Sequence, residues 1–258
     1  TWSAGFLPSR HQGVEFRSGT APVLYVENPQ GIDRDERRDQ MDFIHAVAMD
    51  QYQHSGDPEI LSKVAQYEMA YRMQESVPEV TDISDEPEYI LKLYGPMVRV
   101  PGSYARNCLL TRRLIERGVK YVNLIDVGWD HHVAIARRHP PNCWAVDQPS
   151  AALVTDLKQR GLLDDTLVTF KGEFGRTVFA QGGINPNSGR DHHGGNFTIW
   201  MAGGGTRPGI AYGRTDDFSY NVAENPVEVH DLNATVLHLL GIDHERLTFH
   251  YQGRDFRL

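Results

Sequence analysis

Cysteine is scarce in this sequence, with only Cys108 and Cys143 among 258 residues. Neither lies in a Cys-x-x-Cys or Cys/His spacing, which excludes a disulfide framework and a cysteine-based zinc site. Long apolar runs are also missing, since no stretch approaches the roughly 20 residues of a transmembrane helix. The N-terminus shows no basic region followed by an apolar one. We therefore expect no membrane span, and because the chain begins with Thr1 we expect a processed product or a fragment, with any targeting segment upstream.

A surplus of basic residues is absent as well. Lys and Arg number 26 against 34 Asp and Glu, which gives a net charge of -8 at pH 7 and a pI of about 5.8. No sustained Lys/Arg stripe exists that could neutralise phosphates, which argues against a nucleic-acid partner or an anionic membrane surface. The densest charged run, residues 33–39, mixes both signs and is interpreted as the solvated first turn of a helix.

Apolar periodicity divides the chain into helices and short strands. Helical spacing predicts two helices between residues 34 and 77, broken at Gly56-Asp57-Pro58 and paired as a hairpin. The other expected elements are strands at 23–26, 119–127, 166–171 and 197–202 and helices at 89–93, 104–117, 146–160 and 232–240. Helices that alternate with strands predict an α/β fold class, a three-layer α/β/α sandwich with a largely parallel sheet.

The most informative pattern is a repeated triplet, Asp130-His131-His132 and Asp191-His192-His193. The turn Gly172-Glu173-Phe174-Gly175-Arg176 lies between the two copies. Carboxylate oxygen and imidazole nitrogen are the ligands that Zn²⁺ or Mn²⁺ takes from proteins. The first triplet and Glu173 each follow a predicted strand, and ligands of parallel sheets collect beyond the carboxyl ends of strands. The sequence therefore predicts one metal site built from these three segments.

Which member of each triplet binds metal depends on the local backbone. Residues two apart in an extended chain point the same way, so Asp130 and His132 can face one ion while His131 points aside. Asp191 pairs with His193 in the same manner if that loop is extended, whereas in a turn His192 and His193 diverge. Both triplets could also make only surface hydrogen bonds.

The glycines around Glu173 are read as permitting a tight turn and close approach of a substrate. Arg176 could bind an oxyanion through two hydrogen bonds. A surface salt bridge is the plainer interpretation of Arg176 alone.

Longer motifs resemble a known family. The segments GFLPSRHQG at 5–13, GWDHH at 128–132, GEFGRT at 172–177, GRDHH at 189–193 and YQGRD at 251–255 resemble the DUF1501 family of bacterial proteins. Residues 161–170 and 229–242 are similar to passages of sulfatases and other members of the alkaline phosphatase superfamily. The resemblance implies one alkaline phosphatase-like domain over residues 1–258, with a helical insertion at 34–100 and a further portion upstream. It also implies an exported or periplasmic bacterial location.

The resemblance further implies a site with one or two divalent ions, Zn²⁺, Mn²⁺ or Ca²⁺. The implied metal ligands come from both triplets and the turn between them: Asp130, His131, His132, Glu173, Asp191, His192 and His193. The predicted catalytic residues are Glu173, Arg176 and Arg190, of which Arg176 or Arg190 could neutralise an anionic transition state. The resemblance implies that the nucleophile lies upstream. Phe174 stands where the superfamily has a His or Asn, which predicts that the second metal site is weakened or absent.

These observations predict a metal-dependent hydrolase of a phosphate or sulfate ester, acting on a small molecule or glycan. The ion would act as a Lewis acid and lower the pKa of a bound water. A metal-binding module without turnover remains a second hypothesis, favoured by Phe174. A third is an Fe(II) oxygenase in which Asp130, His132 and His193 form a facial triad.

Overall fold

The structure is a computed structural model that describes residues 12–17, 19, 22–23 and 28–257. Its helices are α1 (Arg34–Ser55), α2 (Pro58–Thr81), α3 (Glu88–Tyr94), α4 (Tyr104–Glu116), α5 (Ile135–Gln159) and α6 (Val229–Leu239), with 3-10 turns at Pro96–Arg99 and Leu163–Asp165. Its strands are β1 (Val168–Phe170), β2 (Gly175–Ala180), β3 (Arg190–His193), β4 (Trp200–Ala202), β5 (Arg214–Thr215), β6 (Val222–Glu224), β7 (Phe249–Tyr251) and β8 (Arg254–Phe256). The chain divides into two compact units, Thr1–Pro87 with Arg99–Ser103, and Glu88–Val98 with Tyr104–Leu258.

The first unit contains the predicted helical hairpin. The Asp33 side chain accepts a hydrogen bond from the Glu36 amide and so caps the start of α1, which Gly56 ends in a left-handed conformation. Asp57 caps α2 in the same way, with Pro58 at the first helical position. An ion pair of 2.9 Å joins Arg38 of α1 to Glu68 of α2. The expected pair of helices and the break between them are therefore confirmed.

The core of the second unit lies where α3, α4 and α5 meet. Tyr94, Leu109 and Leu157 are fully buried there. Asp156 is 1% exposed and accepts hydrogen bonds from Tyr94 Oη at 3.1 Å, Arg112 Nε at 3.0 Å and Arg160 Nε at 2.7 Å. Burial, with the nearby Asp156 carboxylate, raises the pKa of the Tyr94 phenol. One buried carboxylate thus joins all three helices.

The expected three-layer sandwich with a largely parallel sheet is wrong. The structure is 45% helical, and its strands form four two-stranded sheets, β1–β4, β2–β3, β5–β6 and β7–β8, all antiparallel. Alternating apolar residues indicate a strand with one half-buried face, but they carry no information about its partner or direction. Short strands joined by local turns, as in β7–β8, pair with a neighbour instead of through a crossover helix.

Residues 119–127 are the clearest departure from prediction, because they form no strand in the described part of the chain. Tyr121 is 81% exposed, Val127 80% and Ile125 52%. The Val119 amide donates to Leu114 O at the end of α4, and among the described residues no further backbone hydrogen bond holds the segment up to residue 127. The alternating pattern is present in the sequence, but within the described residues no second strand covers it.

Two other expectations have different outcomes. Helix α5 begins at Ile135, well before the predicted residue 146, and Pro140 and Pro141 lie within it. The predicted strand at 23–26 lies largely outside the described residues, and the single-domain organisation stays a prediction. Among the described helices, none has the length and apolar character needed to cross a bilayer.

The Asp156 cluster gives a stability prediction. Replacing Asp156 by Ala removes the buried carboxylate that accepts from Arg112 Nε, so that Glu116 remains as the carboxylate partner of Arg112, and breaking a buried pair costs about 3–5 kcal/mol. The free energy of unfolding, measured by urea denaturation, should fall by that amount. Asp147→Ala, on the exposed face of the same helix, should change it by less than about 0.5 kcal/mol. A loss below about 1 kcal/mol for Asp156→Ala would show that the cluster is not a stabilising centre.

Candidate metal centre

The site begins with the antiparallel ladder of β2 and β3. Arg176 lies directly opposite His192, and Gly175 lies opposite His193. Side chains of directly opposed residues share one face of a sheet, and neighbours along a strand alternate faces. Arg176 and His192 therefore point to one side of the ladder and His193 to the other.

Backbone contacts place the first triplet beside this ladder. The Arg190 amide donates to His131 O at 3.0 Å, the Ala134 amide donates to Asn187 O at 2.8 Å, and Val133 forms an antiparallel bridge with Ser188. A Cβ on Gly189 would lie 2.1 Å from the His132 carbonyl carbon and 2.3 Å from His131 O. Only glycine allows the two backbones to approach this closely.

Three metal-type ligand atoms meet where the segments join. Asp130 Oδ1 lies 2.8 Å from His132 Nε2 and 2.9 Å from His192 Nε2, and the two nitrogens are 3.1 Å apart. Asp130, His132 and His192 are the one group of possible metal ligands that the described residues contain. The Asp130 side chain is 60% exposed, so one side of the group is open to solvent.

The spacing of these atoms fits three adjacent positions on an ion. Two ligands at right angles on an ion with bonds of about 2.1 Å lie about 3.0 Å apart, whereas tetrahedral ligands lie about 3.4 Å apart. The observed separations of 2.8, 2.9 and 3.1 Å match the first value. The donor set of two imidazoles and one carboxylate suits Zn²⁺, Mn²⁺ or Fe²⁺.

Gln181 fixes the orientation of His132. Its Oε1 lies 2.6 Å from His132 Nδ1, so a neutral His132 carries its proton on Nδ1 and donates it to Gln181. The lone pair of His132 then resides on Nε2, which faces Asp130 Oδ1 and His192 Nε2. Outer partners of this kind set the tautomer of metal-binding histidines. Sequence reasoning missed Gln181, whose only signal is its place at the end of β2 before Gly182-Gly183.

Arg176 links the same carboxylate to Glu173. Its Nη1 donates to Asp130 Oδ1 at 2.5 Å and its Nη2 donates to Glu173 Oε1 at 2.8 Å. Hydrogen bonds from His192 and Arg176 lower the pKa of Asp130 to about 2, so this carboxylate is ionised at neutral pH. Glu173 thus contacts Arg176 and lies outside the three-atom group. The Phe174 ring lies 4.9 Å from the His192 ring and 5.8 Å from Arg176 Cζ.

Other members of the triplets have different surroundings. His131 is 6% exposed, its ring is 5.6 Å from that of His139, and burial lowers its pKa. His193 stacks on the Tyr220 ring at 4.2 Å, with Nε2 2.6 Å from Tyr220 O. Asp191 Oδ1 accepts from the His192 amide at 2.7 Å. The structure therefore brings together one residue pair from the first triplet and one histidine from the second.

Arg190, the last of the predicted catalytic residues, lies at the start of β3, near two hydroxyl groups that belong to β2 and the β2–β3 loop. Arg190 contributes its amide to His131 O, and its side chain is exposed. The Thr177 hydroxyl donates to Phe179 O and accepts from the Asp191 amide, and the Ser188 hydroxyl donates to Gly183 O and accepts from the Asn185 amide. Both hydroxyls therefore hold the backbone of the hairpin in place.

Comparison with known proteins gives one match. The model of a family described as "Protein of unknown function (DUF1501)" matches residues 1–258. That description names no reaction and no superfamily. No curated protein and no solved structure matches the chain.

The contact at Gly189 gives a test of the site's construction. Gly189→Ala would force its new methyl group into the His131–His132 backbone and separate His132 from His192. We expect Mn²⁺ or Zn²⁺ affinity, measured by calorimetry, to fall by about 10-fold or more. Gly183→Ala is the matched control, because a Cβ there meets nothing within 4 Å. Equal affinities in the two variants would contradict this account of how the triplet is held.

Proposed function

The chain belongs to the DUF1501 family, and for it we propose a metal-dependent hydrolase that acts on a phosphate or sulfate ester. The convergence of Asp130 Oδ1, His132 Nε2 and His192 Nε2 within 3.1 Å of one another supports the metal site. Three protein ligands with an open side are typical of catalytic metal sites, whereas structural zinc sites use four protein ligands. The reaction class follows from the motifs similar to those of sulfatases.

Each residue of the site has a defined task in this proposal. Asp130, His132 and His192 would hold the ion, which would polarise an ester oxygen and lower the pKa of a bound water. Gln181 keeps the His132 lone pair on Nε2. Arg176, with its fork of N–H donors beside Asp130, would bind a non-bridging oxygen of the ester. The exposed side of Asp130 leaves room for a polar substrate to enter from solvent.

A facial-triad Fe(II) oxygenase is the second candidate. Two histidines and one carboxylate on adjacent positions are the ligand set of that class, and here His192 stands where the sequence alone had suggested His193. The Arg176 guanidinium at the site favours an anionic substrate and does not separate the two candidates. Oxygen consumption with Fe²⁺ separates them, because a hydrolase uses no O₂.

The ligand assignment is tested by His192→Ala. Loss of one of three ligands should weaken Zn²⁺ or Mn²⁺ binding by about 100-fold and should remove hydrolysis of aryl phosphates and aryl sulfates. His230→Ala, which removes an exposed histidine from the first turn of α6, should leave both unchanged. Both are measured on the full chain by calorimetry and by release of the chromogenic phenol.

Two results would overturn the proposal. Full hydrolytic rate after complete removal of metal would exclude the metal-dependent mechanism. Metal bound by the unaltered chain, with neither aryl ester hydrolysed and no O₂ consumed with Fe²⁺, would favour a metal-binding module without turnover.

A further inference from the structure

We infer that Arg176 couples the metal to an oxyanion, so that each ligand strengthens the binding of the other. This inference rests on the proposed metal site and adds a regulatory property to it. Arg176 bridges two carboxylates, Asp130 at 2.5 Å and Glu173 at 2.8 Å. One of those carboxylate oxygens, Asp130 Oδ1, is also a member of the possible ligand triad.

The charges of this group determine which ligand it accepts. Two carboxylates and one guanidinium carry a net single negative charge, which repels phosphate or sulfate. A divalent cation on Asp130 changes the total to a net single positive charge, which attracts them. Histidines that bind a metal ion through a lone pair carry no charge, so they add nothing to the sum for the metal-bound site. An oxyanion therefore binds well only with the cation, and by thermodynamic reciprocity the oxyanion must then raise cation affinity by the same factor.

Geometry gives Arg176 the central part in this coupling. Its Nη1 donates to the same oxygen, Asp130 Oδ1, that lies within 2.9 Å of both histidine nitrogens. A cation on that oxygen and the guanidinium repel each other and share one acceptor, which weakens the Arg176–Asp130 hydrogen bond. Glu173 still accepts from Nη2, so the guanidinium stays beside the site with a donor available for an oxyanion.

Because Arg176 and the metal ion both interact with Asp130 Oδ1, Arg176 competes with the metal for this oxygen. A residue that merely positions Asp130 would have the opposite effect, because its loss would disorder a ligand and weaken metal binding. The sign of the change in metal affinity on removing Arg176 therefore separates the two roles. This measurement of metal affinity distinguishes the two roles even if the chain shows no enzymatic activity.

The experiment measures Mn²⁺ binding to the full chain by calorimetry, in sodium sulfate and in sodium chloride at matched ionic strength. For the unaltered chain, sulfate should lower the Mn²⁺ dissociation constant by about 5-fold. Arg176→Gln should lower the dissociation constant in chloride by about 3- to 10-fold, because a competing cation is gone, and should abolish the effect of sulfate. Arg176→Lys retains the charge but not the fork of donors, and should keep only part of the sulfate effect.

Arg137→Gln is the matched control, because it removes one positive charge from the exposed first turn of α5. It should leave both the affinity and the sulfate effect unchanged. Weaker Mn²⁺ binding by Arg176→Gln would overturn the inference, since it would make Arg176 a positioning residue. An undiminished sulfate effect in that variant would also overturn it, because the anion would then bind through the metal alone.

The test of the coupling between metal and oxyanion can fail or succeed independently of the test for ester hydrolysis. Loss of the sulfate effect in Arg176→Gln, with no ester hydrolysed by the unaltered chain, would support the coupling and refute the hydrolase. Hydrolysis with an undiminished sulfate effect in that variant would refute the coupling and support the hydrolase. A chain that binds none of Mn²⁺, Zn²⁺ and Fe²⁺ would refute both.

Discussion

The contact between Gly189 and the backbone of His131 and His132 is the constraint on which the site depends. It joins two segments that lie about sixty residues apart in the chain and lets the Arg190 amide reach His131 O. No side chain fits between them, so backbone contact sets how close the His132 segment lies to the strand that carries His192. Rigid backbone support of this kind holds ligand atoms more precisely than contacts between flexible side chains.

A second constraint is the concentration of donors on one oxygen. Asp130 Oδ1 lies within hydrogen-bond reach of Arg176, His132 and His192. A carboxylate oxygen has two lone pairs, and a His132 that donates through Nδ1 to Gln181 has no proton to offer at Nε2. The lone pair of His132 Nε2 and the lone pairs of Asp130 Oδ1 thus face a common position, where a bound cation would stabilise them.

The sequence could predict those features that local chemistry determines. The helical hairpin follows from caps such as Asp33 and Gly56, which act within one turn, and Asp130 and His132 were expected to face one metal ion. The choice of His192 over His193 could not be predicted, because it depends on which face of β3 meets Asp130. A shift of one residue in the pairing with Arg176 would exchange the two histidines. Periodicity also carries no information about strand direction, which is why the prediction of a largely parallel sheet was wrong.

The exposed segment at residues 119–127 has a consequence for handling the protein. Within the part of the chain that the structure describes, the backbone N–H and C=O groups of this segment have no ladder partner, and such groups next to exposed side chains like Tyr121 and Val127 can pair with another chain. Lys120 and Asp126 are the only charges in this stretch. Charge near the ends of an apolar strand opposes cross-β stacking, so these two side chains oppose the pairing of this segment with another chain. The solubility of the chain is therefore sensitive to two side chains, Lys120 and Asp126.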